Sequence, residues 1–297
     1  MVIAITDSGF GGLSIAAEVY EWLKDQSFST TIEFKYVNAL PDTGKGYNTI
    51  PDNLTKIHIF NRLLDNIETL FQPDIIVIAC NTLSVLISQT AYFLRNNQKI
   101  LDILDSGTTN ILNLFEQTNN NSVIIFGTET TIDSDFHRNY FLKNKSCISR
   151  AVAQSCPGLA AEIENNPNSA ATLDIIRQSV QNALQKLLPT KNTNIYAILA
   201  CTHYSYVADH FKNVFLSNQI ENIQIIDPNI NLTKNIKSHL IKYFKHDDST
   251  KRELKLEVIS KVRIPDQEIG SITDLLKFKS TDTVKAFCNY QNIPDLF

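Results

Sequence analysis

Short apolar runs alternate along the chain with longer segments whose apolar residues recur at helical spacing. An uninterrupted short apolar run is typical of a strand that is buried on both faces. Strands that alternate with helices predict a parallel sheet with helices on both sides, and therefore an α/β fold. The predicted strands span residues 2–5, 32–37, 75–79, 123–126, 195–200 and 223–226, and the predicted helices span 13–23, 54–71, 84–94, 134–142, 171–188 and 206–216.

Two of these predicted strands end in related motifs, Ala79-Cys80 and Ala200-Cys201. A small polar residue follows each Cys, and a Ser lies four positions after each Cys. Asp7 follows the first strand and lies 73 residues before Cys80, and Thr128 follows another strand and lies 73 residues before Cys201. The equal spacing predicts two like-folded α/β halves. Each half would present a thiol at the carboxyl end of a strand, where open α/β sheets bind ligands.

The two thiols are candidate acid/base groups, because a thiol pKa can be lowered toward neutrality beside a helix N-terminus. The alternative is that Cys80 and Cys201 are small buried hydrophobes, which would leave the matched motifs unexplained. His203 follows Cys201 by two residues and is placed to hold or relay a proton. Asp7 opens a glycine-rich turn, residues 7–14, that contains neither GxGxxG nor GxxxxGK[ST]. We therefore expect Asp7 to orient or charge a neighbouring thiol.

Composition narrows the function classes. The 297 residues are enough for two domains, and 43% hydrophobic with 20% charged residues is ordinary for a soluble protein. A net charge of −4 gives no basic field for nucleic acid, and no apolar run is long enough to cross a membrane. Five irregularly spaced cysteines argue against a disulfide framework and for reduced thiols in the cytoplasm; they are Cys80, Cys147, Cys156, Cys201 and Cys288. No CxxC or His/Cys cluster predicts a metal site.

Taken in order, the motifs resemble the glutamate racemase branch of the aspartate/glutamate racemase superfamily, which uses no pyridoxal phosphate or other cofactor. The resemblance covers roughly residues 1–230. It implies two pseudo-symmetric α/β domains with mainly parallel sheets and an active site in the cleft between them. On this basis we expect one domain at 1–99 plus 212–297 and another at 100–211. The segments that carry the resemblance are Asp7-Ser8-Gly9 with residues 11–14, Cys80-Asn81-Thr82, Gly127-Thr128 with Thr131 and Ser134, Cys156-Pro157 with Glu164, and Cys201-Thr202-His203-Tyr204.

The resemblance implies interconversion of L- and D-glutamate for peptidoglycan precursors. One cysteine removes the α-proton as a thiolate, and the other protonates the opposite face as a thiol. Cys80 would deprotonate the D enantiomer and Cys201 the L enantiomer, with Asp7 and His203 assisting them and Glu164 as the companion of His203. The polar groups of this small-molecule substrate would be held by Ser8, Asn81, Thr82, Thr128, Thr131 and Thr202. The oligomeric state, a homodimer included, is left open.

One segment departs from the family pattern. Glutamate racemases carry Gly-Asp after the second strand and then Pro-Tyr-Gly, which contacts substrate, whereas this chain has Asn38-Ala39 and then Gly46-Tyr47-Asn48. Tyr47 and Asn48 are the substrate-binding candidates at that position. The departure leaves alternatives open: a racemase or isomerase of another acidic amino acid or small dicarboxylate such as aspartate, or a non-catalytic amino-acid-binding relative.

Overall fold

A computed structural model describes residues 1–28, 30–115, 120–144, 148–190, 193–244 and 253–297. The chain divides into two compact units, which we call unit 1 (Met1–Ile103 with Leu232–Phe297) and unit 2 (Leu104–Asn231). Cys147, one of the five cysteines expected to be reduced thiols, falls outside the described residues. Across the described residues, no helix combines the length and apolar character that crossing a bilayer requires.

The strands and helices alternate for most of the chain, as the apolar pattern predicts. The strands are β1 Val2–Asp7, β2 Ile32–Asn38, β3 Ile75–Ile78, β4 Ile100–Asp102, β5 Asn121–Gly127, β6 Ile148–Ser155, β7 Asn194–Ala200, β8 Ile223–Ile226, β9 Leu254–Ser260 and β10 Gln291–Asn292. The helices are α1 Leu13–Lys24, α2 Asn53–Phe71, α3 Asn81–Ile87, α4 Ala91–Asn96, α5 Ile103–Leu112, α6 Glu129–Asp133, α7 Phe136–Asn144, α8 Leu159–Asn165, α9 Ala170–Leu187, α10 Ala208–Ser217, α11 Pro228–Leu240, α12 Asp266–Leu276 and α13 Thr281–Cys288.

Unit 1 contains a parallel sheet in the order β10-β9-β2-β1-β3-β4. Successive side chains of a strand point to opposite faces, so Ile3 and Ile5 enter one apolar cluster while Ala4 enters another. Both clusters are buried, which is why β1 is apolar throughout rather than alternating. At the carboxyl end of the sheet, Asp7 pairs in register with Asn38.

Unit 2 contains a parallel sheet in the order β6-β5-β7-β8. The central strands β5 and β7 also place alternate residues in two apolar clusters, with Ile124 and Leu199 on one face and Ile125 and Ile198 on the other. The order β2-β1-β3-β4 in unit 1 has the same pattern as β6-β5-β7-β8 in unit 2. The predicted α/β fold with two like, mainly parallel halves is confirmed.

Some predicted boundaries are wrong for local reasons. The helix predicted at 84–94 is divided into α3 and α4, because Thr90 caps a new helix by accepting the Phe93 N–H. The helix predicted at 134–142 begins after Asp135, whose φ of 54° ends α6 in the left-handed region. The helix predicted at 206–216 begins two residues later, as α10, because Tyr206 and Val207 still belong to the 3-10 turn Thr202–Val207.

The division between the units also differs from the expected boundaries. Residues 212–231, assigned from the sequence to the first domain, lie in unit 2, because β8 pairs with β7. The segment 254–260 was not predicted as a strand, yet it forms β9 and pairs with β2 along its whole length. The end of the described chain therefore completes the sheet of unit 1.

Candidate active site

In unit 1, the turn after β1 is built around a buried carboxylate. Asp7 is fully buried, and its Oδ2 accepts the Gly12 N–H at 2.6 Å. A Cβ added at Gly12 would lie 2.8 Å from the same oxygen, so the turn requires glycine there. Tyr36 on β2 donates its hydroxyl to the Gly9 carbonyl at 2.6 Å and fixes the turn from the neighbouring strand. The Asp7 carboxylate is thus held in one place by the local backbone.

Cys80 lies two residues after β3, at the N-cap of α3. The thiol is buried, and its Sγ lies 3.0 Å from the Ser8 Oγ. Burial raises the pKa of the Cys80 thiol, and the negative charge of Asp7 raises it further. For Cys80 the expectation that a helix N-terminus lowers the thiol pKa is therefore wrong. The seven-residue α3 does not outweigh burial beside a carboxylate. The resting state of Cys80 is the neutral thiol.

Four polar candidates of unit 1 lie just before α2 and at the start of α3. Tyr47 is buried and its hydroxyl has no hydrogen-bond partner among the described residues, and the same holds for both side-chain polar atoms of Asn81. Burial raises the pKa of Tyr47, so its hydroxyl stays protonated and able to donate. Thr82 is also buried, whereas Asn48 is exposed next to Tyr47. Buried unpaired polar groups of this kind fit a site that a polar ligand completes.

In unit 2, Cys201 directly follows β7 and begins a 3-10 turn. Its buried Sγ lies 3.7 Å from the His203 Nδ1, and the His203 Nε2 lies 2.6 Å from the Glu164 Oε1 on α8. Burial alone would lower the pKa of His203. The charge of Glu164 and the contact with Cys201 outweigh it and raise that pKa well above 6.5. His203 is therefore held as a cation between a carboxylate and a thiol.

Hydroxyl groups of unit 2 lie at the ends of its central strands. Thr128 follows β5 and its Oγ1 lies 3.0 Å from the Thr131 Oγ1, and both residues are buried. Gly127 allows this close packing, since an added Cβ would lie 3.3 Å from the Thr131 Cγ2 and the Ala200 carbonyl oxygen. Thr202 is buried next to Cys201. Thr128 and Cys201 thus follow adjacent strands of unit 2, the placement that Asp7 and Cys80 have in unit 1.

One residue that positions the Cys201 turn was missed in the sequence. The Asn229 amide on α11 donates to the Thr202 carbonyl at 3.0 Å and to the Ser205 Oγ at 2.6 Å. Pro228 at the first position of α11 signals a helix start. Nothing in the sequence indicates that this helix begins against the Cys201 turn.

Cys156 lies in the apolar cluster of unit 2 together with Cys201. Burial raises the pKa of Cys156 to about 12, so this thiol stays neutral. The Tyr204 hydroxyl donates to the Cys156 carbonyl at 3.4 Å, which ties the turn after β7 to the start of α8. The apolar surroundings of the Cys156 sulfur support a structural role. Within the described ranges, His, Cys, Asp and Glu form no group that could hold a metal ion.

The chain is similar to known proteins in sequence and in fold, although no family model matches it. The glutamate racemase of Lactobacillus acidophilus is 27% identical over 228 residues, 76% of each chain. The glutamate racemase of Bartonella henselae is 27% identical over 250 residues, 83% of this chain and 84% of that protein. The crystal structure of Francisella tularensis glutamate racemase in complex with D-glutamate matches with a TM-score of 0.67 at 21% identity, over 93% of both chains. In sequence and in fold, the chain is thus similar to glutamate racemases.

The segment 38–48 is the part of the candidate site that departs from the glutamate racemase pattern. Asn38 is fully buried at the end of β2, where its side-chain oxygen accepts the Leu40 N–H at 3.0 Å and its amide donates to the Ser260 Oγ at 3.3 Å. An amide there turns the chain into the loop without adding a second carboxylate next to Asp7. The loop still brings the Tyr47 side chain into the interior of unit 1.

Proposed function

We propose that this protein is a cofactor-independent glutamate racemase that interconverts L- and D-glutamate by a two-base mechanism. The carrying observation is that two buried thiols follow equivalent strands of two like sheets and have different proton-handling neighbours. An α-proton is weakly acidic, so its removal requires a positioned base and a site from which water is largely excluded. The burial of Cys80 and Cys201 supports this reading.

In the L-to-D direction, the Cys201 thiolate takes the α-proton from L-glutamate and becomes a thiol. The resulting carbanion accepts a proton from the Cys80 thiol on its opposite face, which leaves a Cys80 thiolate and D-glutamate. The raised pKa of Cys80 supports its starting role as the acid in this direction. The reverse reaction exchanges the two roles, so the proton count is the same in both directions.

His203 and Asp7 assist the two thiols in different ways. The His203 Nδ1 is close enough to the Cys201 Sγ for a proton to pass between them, while Glu164 keeps the imidazole oriented and charged. Asp7 makes the thiolate of Cys80 less favourable and therefore makes it a readier proton acceptor once formed. Cys201 thus has a neighbour that can exchange a proton with it, and Cys80 has a neighbour that disfavours its thiolate.

We assign substrate binding to polar groups at the strand ends. Tyr47 and Asn81 would complete their hydrogen bonding on the carboxylates or ammonium group of the amino acid. The remaining proposed contacts are Ser8, Asn48, Thr82, Thr128, Thr131 and Thr202. Both thiols come from one chain, so the proposed chemistry needs no residue of a second copy. The reduced thiols it requires fit the cytoplasm.

The deciding experiment is solvent deuterium incorporation at Cα of L- and D-glutamate, followed by proton NMR and chiral chromatography. We expect both enantiomers to exchange and to reach a racemic mixture. Aspartate is the matched comparison, because the changed segment 38–48 favours a second candidate, racemisation of another acidic amino acid. Exchange with aspartate alone would replace glutamate as substrate. Binding of glutamate without exchange of any amino acid would refute the racemase proposal.

A further inference from the structure

Unit 1 contains a cavity of about 390 Å³ that none of the proposed catalytic or substrate-binding residues line. Its walls come from four places: the loop 41–51, the first half of α2, the segment directly after β9, and Phe297 after β10. The size lies within the range of cavities that hold small organic molecules, which is roughly 300–1,000 Å³. The cavity is therefore large enough for a ligand of its own.

The charged side chains of the cavity are mostly cationic. Lys45, Arg62 and Lys261 line it with one acidic residue, Asp42, although the chain as a whole has a net charge of −4. His58 lies one helical turn before Arg62 on the same face of α2. This concentration of positive charge runs against the composition of the protein. It favours an anionic ligand.

The three cationic side chains differ in the interactions that they make with the protein. The Lys45 Nζ lies 3.7 Å from the Asp42 Oδ2, and both side chains are largely exposed, so this ion pair contributes little. The Lys261 Nζ donates to the Pro41 carbonyl at 3.0 Å and lies 4.7 Å from the centroid of the Phe297 ring, which holds it at the wall. Arg62 has no hydrogen bond or ion pair with any described residue. Its guanidinium fork is available for two parallel hydrogen bonds to a phosphate or carboxylate.

The rest of the lining is apolar. Ile50, Ile59 and Phe297 pack against or within one apolar cluster of unit 1, and Pro41 and Pro51 add further apolar surface to the cavity. An inorganic ion would leave this surface wet, whereas a ring or branched hydrocarbon would cover it. The lining is thus complementary to a molecule with an apolar body and one anionic end.

We propose that this cavity is a second ligand site, which binds an organic anion through its apolar body and pairs the anionic group with Arg62 and Lys261. It is separate from the proposed glutamate site, because glutamate has no apolar body of this size and the cavity shares no lining residue with the thiol sites. The anionic group is a phosphate or a carboxylate, both of which match the guanidinium fork.

The test is calorimetric titration of the full chain with 1-naphthyl phosphate and 1-naphthoate, alongside 1-naphthol and inorganic phosphate. We expect at least one naphthyl anion to bind with a Kd of about 1 mM or lower, and naphthol and inorganic phosphate to bind at least about tenfold more weakly. The naphthyl anion that binds with the lower Kd shows whether the site prefers a phosphate or a carboxylate. Saturating L- and D-glutamate should leave the affinity unchanged.

Substitutions of two exposed residues test whether the naphthyl anion binds in this cavity. Arg62→Gln should weaken binding of the naphthyl anion about tenfold, and Lys45→Gln should weaken it less, since each removes one charge from a different wall. Arg177→Gln is the matched control, because Arg177 is an exposed helical arginine of unit 2. Thermal melting followed by circular dichroism verifies that each variant is folded. No binding by the unaltered protein, unchanged affinity in Arg62→Gln, or displacement by glutamate would each overturn the proposal.

Discussion

The Cys80 site of unit 1 and the Cys201 site of unit 2 occupy equivalent positions in two like sheets, yet their neighbours differ in charge. Cys80 lies beside the Ser8 hydroxyl and the Asp7 carboxylate, which together with burial leave it a neutral thiol. Cys201 lies beside a histidine that Glu164 keeps cationic. The strand order is the same, so the difference lies in the side chains that follow the strands. The repeated fold places the two thiols after equivalent strands, and the neighbouring side chains determine how each thiol gains or loses a proton.

The strongest test of this comparison replaces each thiol separately. Cys80→Ser and Cys201→Ser should each lower racemisation by about 10²- to 10⁴-fold, because a hydroxyl is a far weaker proton acceptor and donor at neutral pH. Deuterium exchange should distinguish the two: Cys201→Ser should lose exchange of L-glutamate more than of D-glutamate, and Cys80→Ser the reverse. Cys288→Ser is the control, since Cys288 is exposed. Near-normal racemisation in either active-site variant would contradict the two-base reading.

The second test concerns the His203–Glu164 ion pair beside Cys201. The pKa of His203 is raised by the fold, so the stabilisation from its contact with Glu164 is fully present below pH 6.5. It is lost as the pH rises through the raised pKa of the folded protein. We expect Glu164→Gln to lower the free energy of unfolding by about 1–3 kcal/mol near pH 6, and by less near pH 9. Urea denaturation at the two pH values measures the difference.

Glu162→Gln is the matched control for this pair, because Glu162 lies about half a turn earlier on α8 and makes no such contact with a described histidine. Its effect on the free energy of unfolding should be small and the same at both pH values. A Glu164→Gln effect that grows with pH would mean that His203 is neutral in the folded protein. The contrast between the two sites would then disappear.

The smallest expected effect concerns Asp7, the carboxylate that acts directly on the Cys80 thiol. Asp7→Asn removes a negative charge that raises the pKa of Cys80, so the thiolate fraction at a fixed mildly alkaline pH should increase. Alkylation of Cys80 by iodoacetamide should accelerate about three- to tenfold, since one pKa unit changes the thiolate fraction tenfold. Peptide mass spectrometry provides the rates, with Cys201 and Cys288 as internal references. A slower reaction of Cys80 would show that Asp7 stabilises the thiolate instead.

The strand ends of both sites were predictable because their signal is local. Asp7, Cys80, Thr128 and Cys201 each terminate an apolar run, and parallel strands bring such ends to one edge of a sheet. The protonation state of Cys80 was not predictable, because burial and the Asp7 carboxylate outweigh the helix terminus and neither can be measured on a linear sequence.

Other features depend on contacts between distant segments. Asn229 reaches the Cys201 turn from a helix that begins 27 residues after Cys201, and nothing near Asn229 in the sequence indicates that contact. The strand β9 is only partly buried over its first four residues, and its place beside β2 is set by pairing across more than 200 residues. Long-range pairing of this kind leaves no mark on periodicity.

The placement of β9 has a consequence for synthesis on the ribosome. All four strands of the unit 2 sheet, from Asn121 to Ile226, are translated before Leu254, the first residue of β9. The nascent chain can therefore assemble the Cys201 half while the Cys80 half still exposes the outer edge of β2. Domains commonly fold in the order in which they emerge, from the N-terminus onward. In this protein the half that begins first is the half whose sheet is finished last.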